Sequence, residues 1–251
     1  RAGATKVDVT PQTLPVIRNG GFLEATDNKV IDRLHARCLV LDDRVLRLAI
    51  LVVDSCMLPR DLCDEVKRTA SGKTGIPFNR ILISATHSHS APSAMNYCLG
   101  SRFDPRYRAF LPGKLVEAIV DANATLQPAK AAWGQVEAAE FTACRRWSFV
   151  KGNELVDPFG DKTVRANMHP GYSNENAVGP TGPVDPWLSF LSVQTADGRP
   201  LSVLANFSMH YFSGHPGVSA DYAGLFSENL ANRLAPGDAE VVGIMSQGTS
   251  G

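Results

Sequence analysis

Two histidines one residue apart, His87 and His89, close the run "ILISATHSHSAP" at 81–92. On extended backbone, residues i and i+2 point to the same side, so both imidazoles can look into one cavity. Neutral imidazole is a common metal ligand, and two close together favour a metal. The plain alternative is a pair of surface histidines capping a turn. The stretch "LANFSMHYFSGHPGVSADYAG", 204–224, repeats the design. An apolar run delivers His210, a Gly/Ser/Pro loop carries His215, and Asp221 precedes a helical pattern. Four of the six histidines thus fall at the ends of two strand-like runs. His215 reads by default as an exposed loop residue, and Asp221 as an N-cap for a helix from Tyr222.

Two more groups have the right chemistry. "CRRW" at 144–147 places Arg145 and Arg146 on adjacent positions, which point opposite ways when extended, so at most one can face a pocket. Arginine clamps a carboxylate or a developing oxyanion through paired hydrogen bonds. Asp54 in "LVVDSCM" is an acid at a strand end. It reads either as a partner that orients a ligand histidine or as a turn residue.

Positioning these side chains needs strands that end at them. Apolar runs predict strands at 37–41, 46–54, 80–86, 129–137, 188–195, 201–209 and 239–246. "RDLCDEVKRTASG" (60–72) spaces Leu62, Val66 and Ala70 by four, with Gly72 as a stop. "RYRAFLPGKLVEAIVDANATL" (106–126) has a weak middle at Pro112-Gly113 and a stripe of Leu115, Ile119 and Ala122. "YAGLFSENLANRL" (222–234) predicts a third helix with Leu225, Leu230 and Leu234 inward, and "ADGRP" (196–200) a hairpin turn. Strands alternating with helices, plus one hairpin, predict an α/β fold with a mixed β-sheet core flanked by helices. The Gly-, Pro- and Asn-rich stretch 151–187 reads as a long loop beside the site.

The chain has 251 residues, with 25 basic and 25 acidic side chains and no basic cluster, which argues against nucleic acid as a partner. Its longest apolar runs are too short to span a bilayer. Five cysteines without a C-x-x-C argue against a zinc knuckle or a dense disulfide framework, leaving room for one bridge. The sequence begins at Arg1, which fits removal of an upstream segment such as a signal peptide. It ends where "AEVVGIMSQGTSG" runs from a strand into a turn. We therefore expect residues 1–251 to form a single α/β catalytic-type domain that is incomplete at its C-terminal end.

Taken together, these motifs resemble the neutral, non-lysosomal ceramidases. "THSHSAP" resembles that family's "THTHSGP", and "VDVTP" (7–11) its amino-terminal "A-D-I-T". "NFSMHYFSG" is similar to its second histidine strand, "VSADYAG" to the following "S-G-D-x-x-G", and "IMSQGTSG" to the strand before its nucleophile loop. The order agrees over nearly the whole chain. The resemblance implies a ceramidase-like fold and a zinc-dependent amidase that cleaves the N-acyl bond of a ceramide-like lipid to a sphingoid base and a fatty acid. It implies His87 and His210 as zinc ligands and His89 facing the substrate. Arg145 would bind the reacting group, with Cys144 where asparagine would stand. The family's remaining ligands, a glutamate and a tyrosine, and its nucleophilic serine would lie beyond Gly251, and Ser250 stands one residue too early for that serine. Ala91 and Ser93 replace two glycines and would narrow the entrance. A small amphiphilic substrate, peripheral contact with a membrane, and a secreted or periplasmic location follow as expectations. Oligomeric state stays open. The alternatives are a hydrolase of another amide or ester, or a non-catalytic lipid- or carbohydrate-binding relative using Trp147, Tyr172 and Trp187.

Overall fold

The structure, a computed structural model, describes residues 1–96, 101–171, 173–212, 216–238 and 240–249. Cys98, Tyr172, His215 and Ser250 therefore lie outside the described residues. The chain opens with β1 (Ala2–Asp8), β2 (Val16–Arg18), β3 (Ala25–Asp27), β4 (His35–Asp42), β5 (Arg47–Val53), α1 (Arg60–Thr74) and β6 (Ile81–Ala85). It continues through α2 (Pro105–Ala124), β7 (Ala129–Glu137), β8 (Arg146–Phe149), β9 (Leu155–Val156), β10 (Lys162–Val164) and β11 (Ala166–Met168). β12 (Ala177–Pro180), β13 (Trp187–Thr195), β14 (Pro200–Phe207), α3 (Asp221–Leu234) and β15 (Val242–Gln247) complete it.

Two four-stranded sheets make the frame, ordered β1-β4-β5-β6 and β15-β14-β13-β7. Each is mostly antiparallel and contains one parallel pair, β5 with β6 and β14 with β15. Side chains alternate across each sheet, and the alternation decides the layers. Leu39, Val52, Val242 and Ile244 join one apolar cluster that both sheets share, so the sheets pack face to face. Cys38, Val40, Leu51 and Val53 point the other way, onto α1 and α2. On the far side, Ala205, Phe207 and Met245 meet Ala223 of α3. The mixed sheet core flanked by helices is therefore present, as two sheets between two helical layers.

The helical stripes of α1 and α2 are buried as the spacing predicts: Leu62, Val66, Ala70, Leu115, Ile119 and Ala122 are all 0% exposed. α1 runs past Gly72 and stops at Gly75, whose φ of 74° and bond to the Ser71 carbonyl close the last turn. α2 continues unbroken through Pro112. Burial of Leu111, Leu115 and Ile119, roughly 1.5–3 kcal/mol for each such side chain, outweighs the ~3 kcal/mol a mid-helix proline costs.

Three readings need revisiting, and one strand gives no signal in the sequence. The inward face of α3 is Ala223, Gly224, Ser227 and Ala231, while Leu225 and Leu234 are 65% and 41% exposed. The reason is contact distance: a Cβ on Gly243 of β15 would lie 2.2 Å from the Ser227 carbonyl oxygen, leaving no room for leucine. The stretch 151–187 is not one long loop, because β9 pairs with β10, and β8 pairs with both β11 and β12. Asp54 sits in the bend just after β5, the turn position of the two readings, and among the described residues its carboxylate bonds no histidine ring of the site. It is fully buried, and its Oδ2 accepts from Arg37 Nη1 at 2.7 Å and from the His35 amide at 2.8 Å. Last, β1 gives no apolar signal in sequence, since its small residues let α2 approach; a Cβ on Gly3 would lie 2.1 Å from the Ala122 carbonyl oxygen.

Candidate metal centre

The parallel pairs β5/β6 and β14/β15 both end on one side of the molecule, and the candidate site lies past those ends, as α/β folds favour. β6 delivers Thr86 and then His87, whose φ is 65°. A non-glycine residue at such a φ costs about 1–3 kcal/mol and persists only where surrounding structure holds it. What holds it here is the neighbouring strand end: His87 Nδ1 donates to the Cys56 carbonyl oxygen at 3.0 Å. That bond fixes the tautomer and leaves the Nε2 lone pair for a ligand. His89 shares the cavity, its Nε2 3.1 Å from His87 Nε2.

β14 brings the third imidazole. The ring centroid of His210 lies 5.0 Å from that of His87 and 5.8 Å from that of His89. The H-x-H pair and the second histidine strand thus converge, as their matching design suggests. Burial holds the His89 imidazole down to a pKa of about 4, with the charges of His87 and Arg145 adding and the Gly20 backbone and Asp221 opposing. Burial likewise takes His210 to about 4, reinforced by Arg145, His87, His89 and His169. Both rings are neutral near pH 7, the form that binds a metal.

Arg145 reaches this group, since its charge acts on both His89 and His210. Its Nε is buried without a hydrogen-bond partner. Arg146 is exposed on β8, so one arginine of the two faces the site, as alternation requires. Asp221 opens α3 with φ 57°, and its Oδ1 accepts from the amides of Phe212 and Tyr222 at 3.1 and 2.6 Å. The helix begins at Asp221 itself, with Ala220 at the N-cap position and no side-chain capping bond, so Asp221 is not the N-cap read from sequence. Its carboxylate instead ties the loop after His210 to the start of the helix.

Several residues here carry no motif. Tyr211 stacks on His89 with centroids 3.5 Å apart and planes 14° apart. Gly20, at φ 100°, lies under the same ring, where a Cβ would come within 2.3 Å of His89 Cγ. Tyr222 Oη and Gln247 Nε2 both donate to the Met209 carbonyl, at 2.8 and 2.7 Å, and brace the backbone before His210. His169, at φ 50°, donates its amide to the Arg145 carbonyl at 2.9 Å. Cys56, whose carbonyl anchors His87, follows β5, the parallel neighbour of the strand that carries His87. A cavity of about 640 Å³ opens beside α3, lined by Asp32, His35, Arg37, Phe212, Asp221 and Leu225 among others. None of the three imidazoles lines it.

The donor chemistry suits a zinc ion: one imidazole anchored through Nδ1, its Nε2 turned towards His89, and two neutral imidazoles near it. Among the described residues, Cys56, His87 and His89 offer ligand atoms that all lie within 4.8 Å of one another.

No family model and no curated protein matches the chain. Solved structures do. Neutral ceramidase from Pseudomonas aeruginosa superposes with a TM-score of 0.73 at 20% identity, covering 100% of this chain and 38% of that one. A ceramidase complexed with C2 matches with the same TM-score of 0.73 and 20% identity. The chain thus spans 38% of the length of the structures it matches. At that identity the likeness establishes the fold, and the mixed α/β fold of this chain is that of the matching part of neutral ceramidase.

Proposed function

We propose that this chain carries the metal centre of a zinc-dependent amidohydrolase that cleaves the N-acyl bond of a ceramide-like amphiphile. The observation that carries the reading is the meeting of His87, His89, His210 and Arg145 past the ends of β6 and β14, within a fold shared with neutral ceramidase. His87, through Nε2, and His210 would hold the zinc. When bound, zinc polarises a carbonyl or lowers the pKa of a water.

The protein's own groups do the rest. Arg145 brings a fixed positive charge to the place where the amide oxygen gains negative charge. With its Nε still unpartnered, the guanidinium has a donor to give. His89 is neutral, so its Nε2 can take a proton or pass one to the leaving nitrogen. Stacking on Tyr211 and contact with Gly20 hold that ring in one orientation. A secreted or periplasmic location and contact with a membrane surface belong to the same reading.

The test is release of fatty acid from an N-acyl sphingoid substrate by the zinc-loaded natural protein, compared with its His89→Ala variant. Turnover should fall about 10²–10⁴-fold, as loss of general acid–base catalysis does, with zinc content unchanged at one equivalent. Loss of zinc in His89→Ala would make His89 a ligand and overturn its role. Absence of N-acyl hydrolysis in the natural protein would refute the substrate class.

A further inference from the structure

The cavity beside α3 holds about 640 Å³, a size typical of small-molecule sites. Two large apolar side chains on its walls stand open, Phe212 at 70% and Leu225 at 65% exposed. Single exposed apolar side chains are ordinary, but two that line one cavity make a surface that a hydrocarbon chain can cover.

The charged groups of the lining do not balance. Asp32, Asp221 and Glu228 stand against Arg33 and Arg37, and burial keeps His35 neutral near pH 7, at a pKa of about 4. Each arginine already meets an acid from outside the lining, Arg33 with Asp8 and Arg37 with Asp54 at 2.7 Å. Glu228 meets Lys6 at 2.8 Å and Arg37 at 3.2 Å. Asp32 differs. It is exposed, it accepts from the Ser219 hydroxyl and the Ala220 amide, both neutral, and among the described residues it pairs with no cation.

We propose that this cavity binds a single-chain amphiphile with a cationic amine head, its chain along Phe212 and Leu225 and its ammonium at Asp32. A long-chain base is such a molecule. The inference goes beyond the hydrolase reading and does not rest on it, since no imidazole of the metal centre takes part.

The natural protein is titrated by calorimetry with dodecylamine below its micelle concentration, as isolated and after metal removal. Dodecanoate, dodecanol and octylamine are run in parallel. One dodecylamine per chain should bind in both metal states. Dodecanoate and dodecanol should bind at least about tenfold more weakly, the order that a charge pair near a protein surface contributes. Each methylene removed in octylamine should weaken binding by up to about fourfold. Asp32→Asn, which keeps the shape of the side chain, should lose the preference for amine over dodecanol. Leu225→Arg, at an exposed position, should weaken dodecylamine binding by roughly tenfold or more through lost apolar contact and added like charge. Equal affinity for dodecylamine and dodecanoate would overturn the ligand class. Binding that disappears with the metal, or that is unchanged in Leu225→Arg, would put the amine elsewhere and refute the site. Absence of binding would refute it as well, as expected of a cavity covered by protein.

Discussion

At the scale of single residues, the site depends on how His89 is held as much as on its presence. Gly20 is the sharpest case, because φ 100° disfavours any L side chain and a Cβ there would sit 2.3 Å from His89 Cγ. Gly20→Ala should therefore push the ring off Tyr211 and lower kcat while the zinc content holds. Metal analysis beside steady-state kinetics checks this; unchanged kcat would show that the orientation of His89 does not matter. His87, His89 and His210 stand out in the sequence because alternation and strand ends are local features; alternation left Arg145 and Arg146 open, and the family resemblance chose Arg145. Nothing in the sequence hints at Gly20 or Tyr211, whose roles come from a contact between distant segments. Cys56, three positions past the end of β5, is brought beside His87 only by the parallel pairing of β5 with β6.

At the scale of elements, periodicity predicted where helices α1 and α2 bury their stripes, since a leucine-rich face has few other places to go. It failed on α3 because the helix rests on β15 through small residues, a packing set by the partner rather than by hydrophobicity. That contact makes its own prediction. Gly243→Ala places a methyl group against the Ser227 carbonyl, at 2.2 Å from the built Cβ. It should cost about 1–3 kcal/mol, as overpacking does, seen as a lower urea midpoint with an unchanged slope. An unaltered midpoint would mean that α3 shifts freely, and the loop bearing His210, tied to α3 through Asp221, would then be less firmly placed. The strands β8 to β12 were hidden for another reason. They are two to four residues long and broken by glycine, proline and asparagine, below the length at which alternation is readable.

At the scale of the whole molecule, buried neutral histidines link folding to pH. Burial takes His35 down to a pKa of about 4, with the Arg37 charge adding and Glu228 opposing. The unfolded chain, with histidine near 6.5, then binds the proton more readily than the folded one. The stabilising contribution is present above about pH 6.5 and is lost as pH falls towards 4. His89 and His210 shift the same way, so the apo protein should lose stability through that window. His35→Gln should flatten the slope, read from thermal unfolding at a series of pH values, and an unchanged slope would exclude His35. The central claim concerns the two layers together: the ends of both sheets place His87 and His210 around one ion. Crystals grown with zinc and measured on both sides of its absorption edge test this most directly. The account predicts one anomalous peak about 2.0–2.1 Å from a ring nitrogen of His87 and of His210. A peak bound to only one of them, or no peak between the two strand ends, would contradict it.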